Sequence, residues 1–85
     1  MHRRRLLDRL LSGSLNNVSF ADARGLVEGL GFTLARIRGS HHVFVHPDLE
    51  ERLNLQNMNG QAKPYQLRQL VGLIRGYSLR LEDRE

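Results

Sequence analysis

The stretch that decides the fold reads Gly31-Phe32-Thr33-Leu34-Ala35-Arg36-Ile37-Arg38-Gly39-Ser40-His41-His42-Val43-Phe44-Val45-His46-Pro47. Its period differs from what comes before it. Phe32, Leu34 and Arg36 alternate with Thr33, Ala35 and Ile37, which reads as a strand without a clean amphipathic face. Arg38-Gly39-Ser40 is a turn. His41 to His46 is a second strand, β-branched and aromatic in its middle, and Pro47-Asp48 breaks it. Two such runs joined by a short turn form an antiparallel hairpin.

Upstream the period is helical. Ser19-Phe20-Ala21-Asp22 is a capping-box variant, a hydroxyl cap with an acid at the third helical position. The helix it opens carries Ala23, Leu26, Val27 and Leu30 on one stripe, and Gly31 suits the residue just past its end. Leu15 to Val18 is a linker. Before it, Arg3 to Leu11 reads RRRLLDRLL, a helix with Leu6, Leu7, Leu10 and Leu11 on one side, ended by Ser12-Gly13-Ser14. Those leucines read as core or dimer contacts, which makes a homodimer through this helix an expectation.

Downstream, Leu53 to Gln56 is a short third strand and Asn57-Met58-Asn59-Gly60 a turn. Pro64 suits the first turn of a last helix, where Leu67, Leu70, Val71 and Ile74 recur at helical spacing and Gly76 stops them. Arg80 to Glu85 is a charged, frayed tail. The expected fold is α+β: a small antiparallel three-stranded sheet with helices on one face, plus an extra N-terminal helix. The expected division is an N-terminal helix over residues 1–14, an α+β domain over 18–77 and a charged tail over 78–85.

Composition narrows the function. At 85 residues one modest core is expected, too small for a deep pocket around a large cofactor. The apolar share of 40% fits a globular chain. No apolar run reaches the roughly 18–20 residues that cross a bilayer. The stretch after Met1-His2-Arg3-Arg4-Arg5 is broken by Asp8 and Arg9, unlike a signal peptide, so a cytoplasmic location is expected. The chain has no cysteine, which excludes disulfides and thiolate metal sites. Its net charge of +4 favours a polyanionic partner such as RNA, or an acidic protein.

The chemistry concentrates around the paired histidines. RNA cleavage by internal transfer needs a base for the 2′-hydroxyl proton, an acid for the leaving 5′-oxygen and positive charge near phosphorus. Histidine suits either proton role, its ordinary pKa being about 6.5. Arg36, Arg38, Lys63 and Arg68 are candidate phosphate contacts. Gly39 allows close backbone approach to a phosphate, and Ser40 offers a hydrogen bond. Neighbouring strand residues face opposite ways. If Val43 and Val45 are in the core, His42, Phe44 and His46 share the other face. If Phe44 is in the core, the assignment reverses and His42 is half-buried. One metal ion cannot bridge His42 and His46, about 13 Å apart along a strand, so neither metal nor cofactor is expected. Tyr65 reads as an anchor for the last helix.

Gly39-Ser40-His41-His42 with an aromatic at Phe44, after a helix ending in Gly31-Phe32 and before Pro47 and an apolar helix, resembles the Gly-Ser-(His/Asn)-His motif of HicA-type toxins. The resemblance covers roughly Val18 to Tyr77. It implies a fold like that of double-stranded-RNA-binding domains, ribonuclease action on mRNA and neutralisation by a HicB-type antitoxin. It also implies that His42, at the motif's last position, is the catalytic histidine. The chain departs from the family in its N-terminal helix and in the segment Asn54 to Tyr65. The leading expectation is therefore a metal-independent endoribonuclease toxin. Its alternatives are a non-catalytic RNA-binding module and a protein-interaction adaptor using the leucine stripe.

Overall fold

A computed structural model describes residues 2–82. In chain order the elements are α1 (Arg3–Leu11), α2 (Phe20–Gly29), β1 (Thr33–Arg38), β2 (His41–Val45), β3 (Leu53–Met58), β4 (Gln61–Ala62) and α3 (Pro64–Tyr77). The strands form one antiparallel meander in the order β1-β2-β3-β4, and the helices cover one of its faces. This is the expected α+β fold, with one more strand than the sequence suggested.

That strand exists because of Asn59-Gly60. Both residues have positive φ, 54° and 85°, as a two-residue hairpin turn with the right twist requires. β3 therefore runs on to Met58, and the turn is shorter than the four residues expected. The first hairpin uses the same economy. Arg38 pairs with His41, leaving only Gly39 and Ser40 in the loop, with Gly39 at φ 59°.

The caps follow the sequence closely. Ser19 Oγ accepts from the Asp22 backbone N–H at 3.0 Å. At the other end of α2, Gly31 adopts φ 100°, its N–H donates to Glu28 O and the Phe32 N–H donates to Val27 O. α3 does not stop at Gly76. It continues to Tyr77 and closes on Ser78 in the left-handed conformation, with the Leu79 N–H donating to Ile74 O.

The N-terminal leucines are core. Leu6, Leu7 and Leu10 are buried with Ala23, Leu26, Val27 and Leu30 of the α2 region, Phe44, Leu53 and Leu55 of the sheet, and Leu67, Leu70, Leu73 and Ile74 of α3. Arg75 ties α3 to α1 by donating to the Leu11 carbonyl at 2.7 Å. The expected tail is not wholly free either. Leu79 and Leu81 pack partly buried on the core, and the Glu82 N–H donates to the Gly29 carbonyl at 2.7 Å. Asp83, Arg84 and Glu85 of that tail lie outside the described residues. No helix of the described residues is long and apolar enough to cross a membrane.

Candidate active site at the first hairpin

Phe44 is fully buried beneath the helices, which decides which way every neighbour on β2 points. His42, two residues away, shares its face and is half-buried. This is the second of the two arrangements the sequence allowed. Cross-strand pairing places His42 between Ile37 of β1 and Leu55 of β3. Leu55 is buried, whereas Ile37 is 53% exposed. The imidazole is thus walled on one side and open on the other, toward the sheet edge. The ring of Phe20, first residue of α2, forms its floor at 4.6 Å between centroids.

The tight turn holds the ring. His42 Nδ1 lies 3.3 Å from the Ser40 carbonyl oxygen, which only accepts, so the proton of the neutral ring sits on Nδ1. Among the described residues Nε2 has no hydrogen-bond partner, and its lone pair faces away from that anchor. The same carbonyl accepts the Asn57 N–H at 2.9 Å, and the Ser40 hydroxyl accepts from Gln56 Nε2 at 3.2 Å. The beginnings of α2 and α3 come to this end of the sheet. Ser19 bridges to Gln61, the Phe20 N–H donates to Gly60 O, and α3 starts two residues after β4.

The other sheet face is open. Across β1 and β2 it carries Arg36 opposite Val43 and Arg38 opposite His41, while β3 adds Asn54 and Gln56. Arg36 and Arg38 are exposed, and among the described residues their side chains form no ion pair. No carboxylate shares these positions. His41 belongs here, its Nδ1 3.2–3.4 Å from the Asn54 side-chain amide.

Gly39, Ser40 and His42 therefore come together, while Arg36 and Arg38 stand on the opposite face. Lys63 stands at the N-cap position of α3 without a capping hydrogen bond, its ammonium 5.9 Å from the Tyr65 ring centroid, and Arg68 is exposed on α3. Tyr65 is not an anchor. It is 57% exposed, because the buried stripe of α3 begins one residue later, at Gln66 and Leu67. Sequence reasoning missed Gln56, Asn57 and Phe20 as partners of the turn and ring. Only the pairing register could have brought them forward.

His46 is structural. Its Nε2 donates to Leu30 O at 3.0 Å and its Nδ1 accepts the Asp48 N–H at 3.1 Å, so both nitrogens are used by the neutral ring. Among the described residues no three His, Asp or Glu side chains group as a metal ion would need.

A helix, an antiparallel meander covered on one side and a closing helix define a small α+β domain, an arrangement compatible with a fold like that of double-stranded-RNA-binding domains. The extra helix α1 packs into the same core. The chain belongs to the HicA family: the family model described as HicA toxin of bacterial toxin–antitoxin matches residues 20–75. It is the toxin of a toxin–antitoxin system, with a cognate antitoxin as its partner. The comparisons with curated proteins and with solved structures found no match.

Proposed function

We propose that this toxin is a metal-independent endoribonuclease that cleaves mRNA, with His42 moving the protons at the scissile phosphate. The observation that carries the reading is the anchoring of His42. Nδ1–H is tied to the Ser40 carbonyl, and the Nε2 lone pair is left available on the side open to Ile37. The family supports it, being generally mRNA-cleaving.

In the reaction Nε2 takes the 2′-hydroxyl proton as the 2′-oxygen attacks phosphorus. The bond from phosphorus to the 5′-oxygen breaks, and the imidazolium returns its proton to that oxygen. The products are a 2′,3′-cyclic phosphate and a free 5′-hydroxyl. One well-placed proton-transfer group contributes about 10²–10⁴-fold, so the enzyme is slow, which suffices for a toxin. Gly39 and Ser40 meet the phosphate at the turn, while Arg36, Arg38, Lys63 and Arg68 contact flanking phosphates. A HicB-type antitoxin silences the enzyme by covering His42 in the cytoplasm.

The open basic face of the sheet favours a second reading, a non-catalytic RNA-binding module. Incubation with single-stranded and structured RNA in EDTA, beside His42→Ala, separates the two. Cleavage by the parent and not by the variant supports the nuclease. Binding by both with cleavage by neither leaves the module.

A further inference from the structure

The geometry points to Gln56 as the positioning residue for His42, acting through Ser40, with buried Gln66 holding Gln56 in turn. The inference rests on the reading of His42 as the proton-transfer group.

The chain of contacts starts at a gap in the sheet. β4 is only two residues long and pairs with Asn57 and Met58, so the Gln56 N–H lies just past the strand that would have bonded it. An unpaired N–H at that position is costly. Gln66 supplies the missing acceptor: its Oε1 takes the Gln56 N–H at 2.6 Å. Gln66 is 2% exposed, an amide within the otherwise apolar buried stripe of α3, and its Nε2 donates to Tyr65 Oη at 3.3 Å. It stands in for a strand residue, fastening α3 to β3.

With its backbone fixed from one side, Gln56 reaches the turn from the other face. Its Nε2 donates to Ser40 Oγ at 3.2 Å and also lies 3.2 Å from Met58 Sδ. Ser40 is thereby held at two points, its hydroxyl by the Gln56 side chain and its carbonyl by the Asn57 N–H. That carbonyl selects the Nδ1–H tautomer of His42. A base at Nε2 exists only in this tautomer. If the carbonyl turns away, the ring divides between tautomers and its orientation loosens, although nothing touching RNA has been removed.

The test uses Gln56→Met, which keeps length and loses the hydrogen bond. In the parent, imidazole ¹⁵N spectra of neutral His42 show a protonated Nδ1 and a bare Nε2. In the variant the two signals move toward each other. Its kcat falls roughly 10- to 100-fold, the range a small misplacement of a reacting group produces, while KM changes little. Ser40→Ala removes the same bond, so the double variant is no slower than the slower single one. An unchanged nitrogen pattern, an unchanged kcat or fully multiplicative losses would each overturn the positioning role. The spectra need no activity: if His42→Ala still cleaves, the catalytic reading fails while the tautomer test stands on its own.

Discussion

The imidazole of His42 rests on the ring of Phe20, with centroids 4.6 Å apart and planes inclined by 55°. Phe20 is also buried in the core. Phe20→Ala is expected to lose about 3–5 kcal/mol in urea unfolding, a large share of a small domain's stability. Phe20→Leu keeps most of the volume and costs less than about 1.5 kcal/mol. It removes the tilted ring–ring contact, so cleavage per folded molecule drops while most of the stability that Phe20→Ala loses is kept. Equal rates for Phe20→Leu and the parent would show that the ring does not steady His42.

His46 and His42 should respond oppositely to alanine. His46→Ala leaves the buried Leu30 carbonyl without its partner, at about 1–3 kcal/mol, and also frees the part-buried Asp48 N–H. Denaturant unfolding should register the loss, and cleavage per folded molecule should not change. His42→Ala gives up one long 3.3 Å bond on a half-buried ring, so stability changes little and cleavage disappears.

Gly31 tolerates no side chain, for two separable reasons. Its φ is 100°, and an added Cβ would lie 2.5 Å from Glu82 Oε2 and 2.8 Å from His46 Nε2. Gly31→Ala should cost at least about 1–2 kcal/mol for the backbone alone. Adding Glu82→Ala relieves one clash, so thermal melting of the pair should recover part of the loss and never all of it.

Tyr77 Oη donates to Glu51 Oε1 at 2.6 Å. The bond raises the Tyr77 phenol above its ordinary value and lowers the Glu51 carboxyl. A raised phenol contributes stability that is complete below about pH 10 and lost as pH rises through the higher folded value. A lowered carboxyl contributes above about pH 4.3 and loses this as pH falls through its lower folded value. Ultraviolet titration should show Tyr77 ionising above the ordinary tyrosine range, and Glu51→Gln should lower its midpoint.

If Arg36 and Arg38 track the RNA backbone, replacing both with Ala should flatten the salt dependence of binding. The slope of log K against log salt falls by about 0.7 for each single-strand phosphate that the protein no longer neutralises. An unchanged slope would remove the open sheet face from the RNA path.

The helices and the hairpin were legible because their signals are local. The stripe Ala23, Leu26, Val27, Leu30 and the Ser19 cap need no knowledge of the rest of the chain, and both are as read. The facing of β2 needed a competition between rivals. Phe44 enters the core because an aromatic ring buries more apolar surface than Val43 or Val45. Arg36 and Arg38 fall opposite His42 because the turn has two residues, which pairs Arg38 with His41 and Arg36 with Val43, and only pairing reveals it; the bulge at Ala35 shifts only the residues before it. β4 was hidden by its length, although Asn59-Gly60 carries a hairpin signature of its own. Tyr65 was misjudged by one step of helical phase.

The packing of α1 separates two boundaries that are easily taken as one. The segment shared with the family starts at residue 20, yet Leu6, Leu7 and Leu10 are all buried in the core. At about 2 kcal/mol for each buried leucine, these three contribute on the order of the whole net stability of a domain this size. The family match therefore marks residues 20–75, whereas the packed hydrophobic core reaches beyond it to Leu6. A truncation cut at the homology boundary would retain every residue of the candidate site and lose the hydrophobic closure that keeps them in place.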